Sequence, residues 1–399
     1  MTSTSTTSPE TYRARMIERI AERGVFRSAA VQEAMARVPR HQFVPLASLE
    51  AAYGDRSVTT KEGDGPLPLS CASEPHIVAM MLEQLAVEPG QRVLEIGAGT
   101  GYNAALLAEL VGAGGQVTTV DVYPDVVEGA RTALAATGYD CVRVIHRDGG
   151  EGCAEHAPYD RIIVTVGPWD LPPAWIEQLT MGGRMVVPLR WRGQARSIAF
   201  VKEADRLRSD SMELCGFIPM TGPGQDGERS GTIDLEGLVT LVWDMDQDID
   251  VALLRQSFVG DGTSIWSGVR VASGEPFDGL WLRLVASEPG TCRLSAAPPA
   301  VACGSCRPAV PSRTPALVEG SSLAYLSVRR VEDAGSSCFE LGGIALGPEA
   351  DELASRLCQA TRRWGLSRNE LPEVLAIVDG ASEGNACIKK PSICIATRY

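Results

Sequence analysis

No apolar run in the chain approaches the roughly 20 residues that a membrane-crossing helix needs, so no segment reads as a membrane span. The first ten residues, MTSTSTTSPE, have no basic segment followed by an apolar stretch, and so do not form a secretory signal. The expectation is a cytoplasmic protein with residues 1–9 as a flexible tail. Positive charge is in deficit: 37 Lys plus Arg stand against 50 Asp plus Glu, a net charge of −13. A polyanion would be repelled at long range, which argues against nucleic acid as a partner. Histidine is scarce, with four residues in 399, all between His41 and His156. The one close cysteine pair, Cys303 and Cys306 in CGSC, therefore has neither a nearby histidine nor a second pair at zinc-site spacing, and no metal is expected. The eleven cysteines, scattered from Cys71 to Cys394, are expected as small buried apolar residues. No internal repeat is present.

What the chain does have is length for two domains and a strand–helix rhythm beginning at Arg92. RVLEIGA, QVTTVDV, CVRVIHRD, DRIIVTV and GRMVVPLR read as strands. YNAALLAELV, PDVVEGARTALAATG and PPAWIEQLT read as the helices between them. Apolar strands alternating with helices imply a parallel sheet covered on both faces. Residues 10–40 show helical periodicity through Tyr12, Met16, Ile20, Val31, Met35 and Val38. After about residue 205 the rhythm breaks. Loop-like stretches at 221–232 and 295–316 alternate with strand-like SLAYLSVRRV and CFELGGIAL. A helix then runs from near Pro348 to Gly365. The expected architecture is an α/β, doubly wound, mostly parallel sheet over residues 10–205 with an α+β domain over 206–399.

VLEIGAGTGYNAALL places Gly97, Gly99 and Gly101 between a strand and a helix. Glycine allows the backbone to turn sharply and approach a ligand without a Cβ in the way. A dinucleotide site wants Gly-x-Gly-x-x-Gly facing a pyrophosphate. Here the third position of that pattern is Tyr102, and Glu95 would sit badly beside phosphates. The spacing favours S-adenosylmethionine over a dinucleotide. Asp121 ends the next strand, where a carboxylate can take both ribose hydroxyls. Asp148 ends the third strand, near the expected adenine amino group. Tyr102, Gly149 and Thr165 complete the expected cofactor set with Glu95 and the three glycines.

Several stretches together resemble the protein-L-isoaspartate O-methyltransferase family. They are RGVFRSAAVQEAMARVPRHQFVP (23–45), AAYGD (51–55), SEPHIVAMMLEQL (73–85), VLEIGAGTGYNAALLAEL (93–110) and the stretch 157–189. They keep the family's order over about residues 10–205 and include parts that generic methyltransferases lack. The resemblance implies a class I S-adenosylmethionine-dependent fold and S-adenosylhomocysteine as product. The family's Thr-Ile-Ser-Gln-Pro stretch corresponds to Cys71, Ala72, Ser73, Glu74 and Pro75, so only the serine and proline survive. The segment SVTTKEGDGPLPLS ahead of it looks longer than usual. Ser73 is well placed as a helix N-cap. The resemblance adds a catalytic role, with its hydroxyl holding the acceptor carboxylate. His76, Trp169 and Arg190 are further candidates for substrate contact, each with an ordinary structural role as its alternative.

A carboxylate is already ionised at neutral pH and needs no general base. The absence of a recognisable acid–base pair therefore fits a carboxyl O-methyltransferase. VGPWDLPP stands where a nucleic-acid N-methyltransferase would carry Asp/Asn-Pro-Pro-aromatic. Longer relatives of this layout accompany lanthipeptide biosynthesis. By that resemblance the substrate is a normal aspartate in a ribosomally made, cyclised peptide, whose ester closes to a succinimide (aspartimide). The alternative is repair methylation of isoaspartate in damaged proteins. The expected partner is thus a modified peptide or protein carrying Asp or isoAsp, with residues 206–399 selecting the substrate. The sequence says nothing of oligomeric state.

Overall fold

The computed structural model describes residues 7–65, 67–258, 262–333, 336–378 and 387–399. The chain divides into two compact units, Met1–Leu189 with Ala195–Gln225, and Arg190–Gln194 with Asp226–Tyr399. The first unit thus reaches Gln225, beyond the boundary expected at 205.

In the first unit, α1 (Pro9–Glu22) is capped by Ser8, whose hydroxyl accepts from Thr11 N–H at 3.3 Å. The expected tail therefore gives way to structure by Ser8, and residues 1–6 lie outside the described residues. The periodic stretch 10–40 is broken after α1, and α2 (Ala29–Arg37) follows with Ser28 as its cap. A short α3 (Leu49–Ala52) leads to the hairpin of β1 (Val58–Lys61) and β2 (Ser70–Ala72), then to α4 (Pro75–Leu85). The alternating core is β3 (Arg92–Ile96), α5 (Tyr102–Val111), β4 (Gln116–Asp121), α6 (Pro124–Ala136), β5 (Arg143–His146), β6 (Tyr159–Val164), α7 (Pro173–Gln178) and β7 (Leu179–Trp191). Two further strands, β8 (Gln194–Lys202) and β9 (Arg206–Leu214), form an antiparallel pair.

These strands lie in the order β9-β8-β7-β6-β3-β4-β5, with parallel ladders joining β7, β6, β3, β4 and β5. This is the class I methyltransferase sheet, with mixed strand direction at the β8–β9 side. The central strands are buried along almost their whole length, as parallel strands covered on both faces must be. One apolar cluster runs from Met16 and Ile20 of α1 through Met35 of α2 and Leu82 of α4 to Leu106 of α5 and Leu134 of α6. No helix among the described residues is long and apolar enough to cross a membrane.

The second unit contains a seven-stranded antiparallel sheet. Its strands are β10 (Glu228–Thr232), β11 (Val239–Asp244), β12 (Thr263–Ala272), β13 (Thr291–Ala296), β14 (Thr314–Glu319), β15 (Ser322–Asp333) and β16 (Ser336–Leu346), in the order β10-β11-β13-β14-β15-β16-β12. Helices α8 (Val251–Ser257), α9 (Gly279–Ser287) and α10 (Pro298–Ala302) lie between strands. Part of the 295–316 stretch is thus helical, not loop. Helix α11 (Ala350–Leu366) buries Leu353, Leu357, Ala360 and Trp364, a stripe at helical spacing. Gly365 lies in its last turn, where a Cβ would come within 2.8 Å of the Val269 side chain. β17 (Glu373–Val378), β18 (Cys387–Lys389) and β19 (Ile393–Arg398) pair antiparallel in the order β18-β19-β17. Cys303 is exposed while Cys306 is buried in the core. Cys387 and Cys394 sit on the neighbouring strands β18 and β19 with their Cα atoms 6.0 Å apart, and Cys394 is buried.

Candidate active site

The turn between β3 and α5 takes three glycines with positive φ: Gly97 at 101°, Gly99 at 50° and Gly101 at 84°. Each is glycine for a different reason. A Cβ on Gly97 would lie 2.6 Å from Thr165 Oγ1. One on Gly101 would press on the Leu134 side chain at 3.1 Å and the Ala130 carbonyl at 3.3 Å, so this glycine lets α5 start against α6. Over Gly99 only the Cys71 carbonyl at 3.8 Å and Ser70 Oγ at 4.0 Å come near. Its backbone is open to a ligand.

The turn is held by β4. Gly97 and Ala98 N–H donate to the Val120 carbonyl at 2.9 and 3.0 Å. Gly99 N–H donates to Asp121 Oδ2, and Tyr123 N–H to Asp121 Oδ1, both at 3.1 Å. Burial raises the Asp121 pKa above its ordinary value, while the backbone donors from Gly99, Tyr123 and Val122 oppose the rise. Each oxygen retains capacity for another hydrogen bond. Glu95 is buried beneath the turn, where Oε1 accepts from Asn103 Nδ2 at 2.7 Å and Oε2 from Thr119 Oγ1 at 2.6 Å. Burial pushes its pKa up to about 7 despite those two donors.

These residues open onto a cavity of about 670 Å³, within the range that encloses a small-molecule ligand. Every expected cofactor residue lines it except Gly101, which is spent on helix packing instead. Asp148 caps a short 3-10 helix through Oδ1, which accepts from Gly150 N–H at 2.9 Å. Gly149 receives Trp175 Nε1 on its carbonyl at 2.7 Å. Thr165 Oγ1 donates to the Ile96 and Gly97 carbonyls at 3.0 and 2.7 Å, fixing the end of β3. An adenosyl group with an amino-acid tail fits this donor set. Asp121 can meet a ribose diol, Asp148 an amino group, and the bare Gly99 backbone leaves room for the linking chain. Three carboxylates around the turn suit a pyrophosphate poorly.

Ser73 and Glu74 form part of the cavity wall. The N-cap of α4 is Glu74, with Pro75 at the first helical position and no side-chain cap bond. This corrects the N-cap reading of Ser73: proline at N1 sets the helix start one residue later. The Ser73 hydroxyl makes no hydrogen bond among the described residues and is free to hold an acceptor. His76 does not line the cavity. It sits with Nδ1 3.6 Å from Glu74 Oε2, and burial lowers its pKa. Trp169 is buried away from the cavity, and its backbone N–H donates to Gln225 Oε1 at 2.7 Å. Arg190 belongs to the second unit, where it pairs with Glu228. The structure thus does not bring the last three to the cavity, because packing and ion pairing occupy them.

Two contributions were not visible in the sequence. The segment 216–221, beyond β9, lines the cavity and is held by Gly167, whose N–H donates to the Ile218 carbonyl at 2.7 Å and whose carbonyl accepts Met220 N–H at 2.9 Å. It has no periodicity to mark it. Arg40 also lines the cavity, though RVPRHQF gives it the look of a surface residue. Among the described residues no group of three or more His, Cys, Asp or Glu could hold a metal ion.

The family model described as Protein-L-isoaspartate(D-aspartate) O-methyltransferase matches residues 11–225. A protein of Methanopyrus kandleri named protein-L-isoaspartate O-methyltransferase is 43% identical over 215 residues, covering 53% of this chain and 91% of that protein. A protein of the same name from Methanothermobacter thermautotrophicus is 40% identical over 212 residues, covering 53% and 95%. A solved structure of the same name aligns with a TM-score of 0.51 and 22% identity, covering 91% of this chain and 96% of its own. At that identity the likeness is one of fold.

Proposed function

Because the chain belongs to the protein-L-isoaspartate O-methyltransferase family of S-adenosylmethionine-dependent carboxyl O-methyltransferases, we propose that its acceptor is an isoaspartyl carboxylate in a damaged protein or peptide. One observation carries the reading: an uncommitted Ser73 hydroxyl stands on the wall of the same cavity as Gly99 and Asp121. The methyl donor supplies an electrophilic methyl group on a sulfonium. Asp121 and Asp148 hold the donor's nucleoside, and the Gly99 backbone lets it approach the turn. Ser73 Oγ donates to the acceptor carboxylate and fixes which oxygen faces the methyl group. No residue has to remove a proton, because the acceptor arrives ionised. The chain's task is placement and exclusion of water.

A second reading keeps the chemistry and changes the peptide: a normal aspartate in a ribosomally made, cyclised peptide, esterified and then closed to a succinimide. It is favoured by the long segment before Ser73, which puts Leu67, Pro68 and Leu69 on the cavity wall. The order of the two readings is nevertheless the reverse of that expected from sequence. The curated relatives named for isoaspartate match over nearly their whole length. A solved structure of that name also spans both units at the level of fold, so a second unit does not by itself mark a tailoring enzyme. Mass spectrometry with a linear isoaspartyl peptide, its normal Asp counterpart and a cyclised Asp peptide decides between them. A gain of one methyl ester on the isoaspartyl peptide alone supports repair. Esterification of the cyclised peptide alone reverses the order again.

A further inference from the structure

Arg40 begins a short 3-10 turn (Arg40–Phe43) and has no exposed surface. Its Nε donates to the Ala52 carbonyl at 2.7 Å, and Nη2 to the Ala72 and Ser73 carbonyls at 3.3 and 2.7 Å. Nη1 is buried without a partner among the described residues. All its hydrogen bonds go to backbone carbonyls, and no carboxylate pairs with it among the described residues. Tyr102, whose ring centroid lies 4.9 Å from the guanidinium carbon, also has a buried hydroxyl without a partner. Both residues line the cavity.

A buried cation without a counter-ion is costly, and carbonyl dipoles offset only part of that cost. An anion entering the cavity would offset the rest. We propose that Arg40 is the cation that receives a carboxylate in this cavity, and that it positions Ser73 through the Ser73 carbonyl. This rests on the methyltransferase reading, under which two carboxylates reach the cavity: that of the acceptor and that of the donor's amino-acid end. Lysine would keep the charge but lose the fork that holds the Ala52, Ala72 and Ser73 carbonyls together.

The test is titration calorimetry on the full chain with two ligand pairs. One pair is S-adenosylhomocysteine and its analogue lacking the carboxylate. The other is an isoaspartyl peptide and the same peptide with its acceptor carboxylate as a primary amide. The carboxylate form should bind roughly tenfold or more tightly in one pair, and that pair names the source. In Arg40→Gln this preference should vanish in that pair while the other pair keeps its wild-type affinities; Arg40→Lys should retain part of it. Equal binding within both pairs by the wild-type protein overturns the proposal, whether or not the variants fold. So does a folded Arg40→Gln that keeps the full preference, or one that weakens all four ligands equally. Binding of neither peptide, with the donor pair still discriminated through Arg40, removes the isoaspartyl reading and leaves Arg40 as the donor's anchor.

Discussion

Ser73 and Glu95 face the same cavity and answer to different measurements. The Ser73 hydroxyl has no partner among the described residues, so removing it leaves none of them buried and unsatisfied. Ser73→Ala should therefore fold as the wild type does and bind S-adenosylhomocysteine equally well. It should lower kcat/KM on an isoaspartyl peptide about 10- to 100-fold, the worth of a hydrogen bond to a charged group. Unchanged kinetics would move the acceptor site elsewhere. Glu95 instead is tied into the turn by Asn103 and Thr119, and its pKa rises on folding from 4.5 to about 7. Between those values the folded state holds more protons than the unfolded one, so stability falls as pH rises through the window. The variant Glu95→Gln has no such proton. Thermal melts from pH 4.5 to pH 8 should show the wild type losing ground to the variant up to about pH 7 and then running parallel; parallel curves throughout would place Glu95 in a wetter site.

The β3–α5 turn is one element with two jobs, and two of its glycines separate them. Gly101 has its would-be Cβ against Leu134 and Ala130, so Gly101→Ala should cost about 2–3 kcal/mol of stability from strain and crowding. Gly99 meets nothing closer than 3.8 Å, so Gly99→Ala should cost only about 1–2 kcal/mol for its positive φ, yet its methyl group points into ligand space. The expected pattern is a low melting temperature with residual S-adenosylhomocysteine binding for Gly101→Ala, and the reverse for Gly99→Ala. This turn and its flanking strands were legible in the sequence because parallel strands must be apolar throughout and the turn must be glycine. What followed was not. β9 is only half buried, in an irregular pattern, and gives no continuous apolar run to read. The segment 216–221 contributes position rather than pattern. The helix start was misread by one residue because Ser73 and Pro75 both look like start signals, and the backbone places the cap between them.

At the scale of the whole molecule, the chain passes from the first unit into the second at Arg190–Gln194, returns at Ala195, and leaves again at Asp226. The described residues lining the cavity run from Arg40 to Thr221, so the first unit alone builds it. Within the second unit, Arg192 pairs with Asp246 at 2.6 and 2.7 Å, and its backbone N–H donates to the fully buried Asp244 at 2.9 Å. A fragment ending at residue 225 keeps Arg190 and Arg192 but loses Glu228, Asp244 and Asp246, and leaves Trp191, buried in the full chain, without the second unit. Such a fragment should bind S-adenosylhomocysteine within about threefold of the full chain while melting at a lower temperature, since groups parted from buried ionic partners are costly. Its turnover of a short isoaspartyl peptide then tells what the second unit does. Turnover at the full-chain rate would confine acceptor recognition to the first unit and leave the second as support for the 190–194 crossing. Intact donor binding with lost turnover would assign acceptor recognition to residues 226–399.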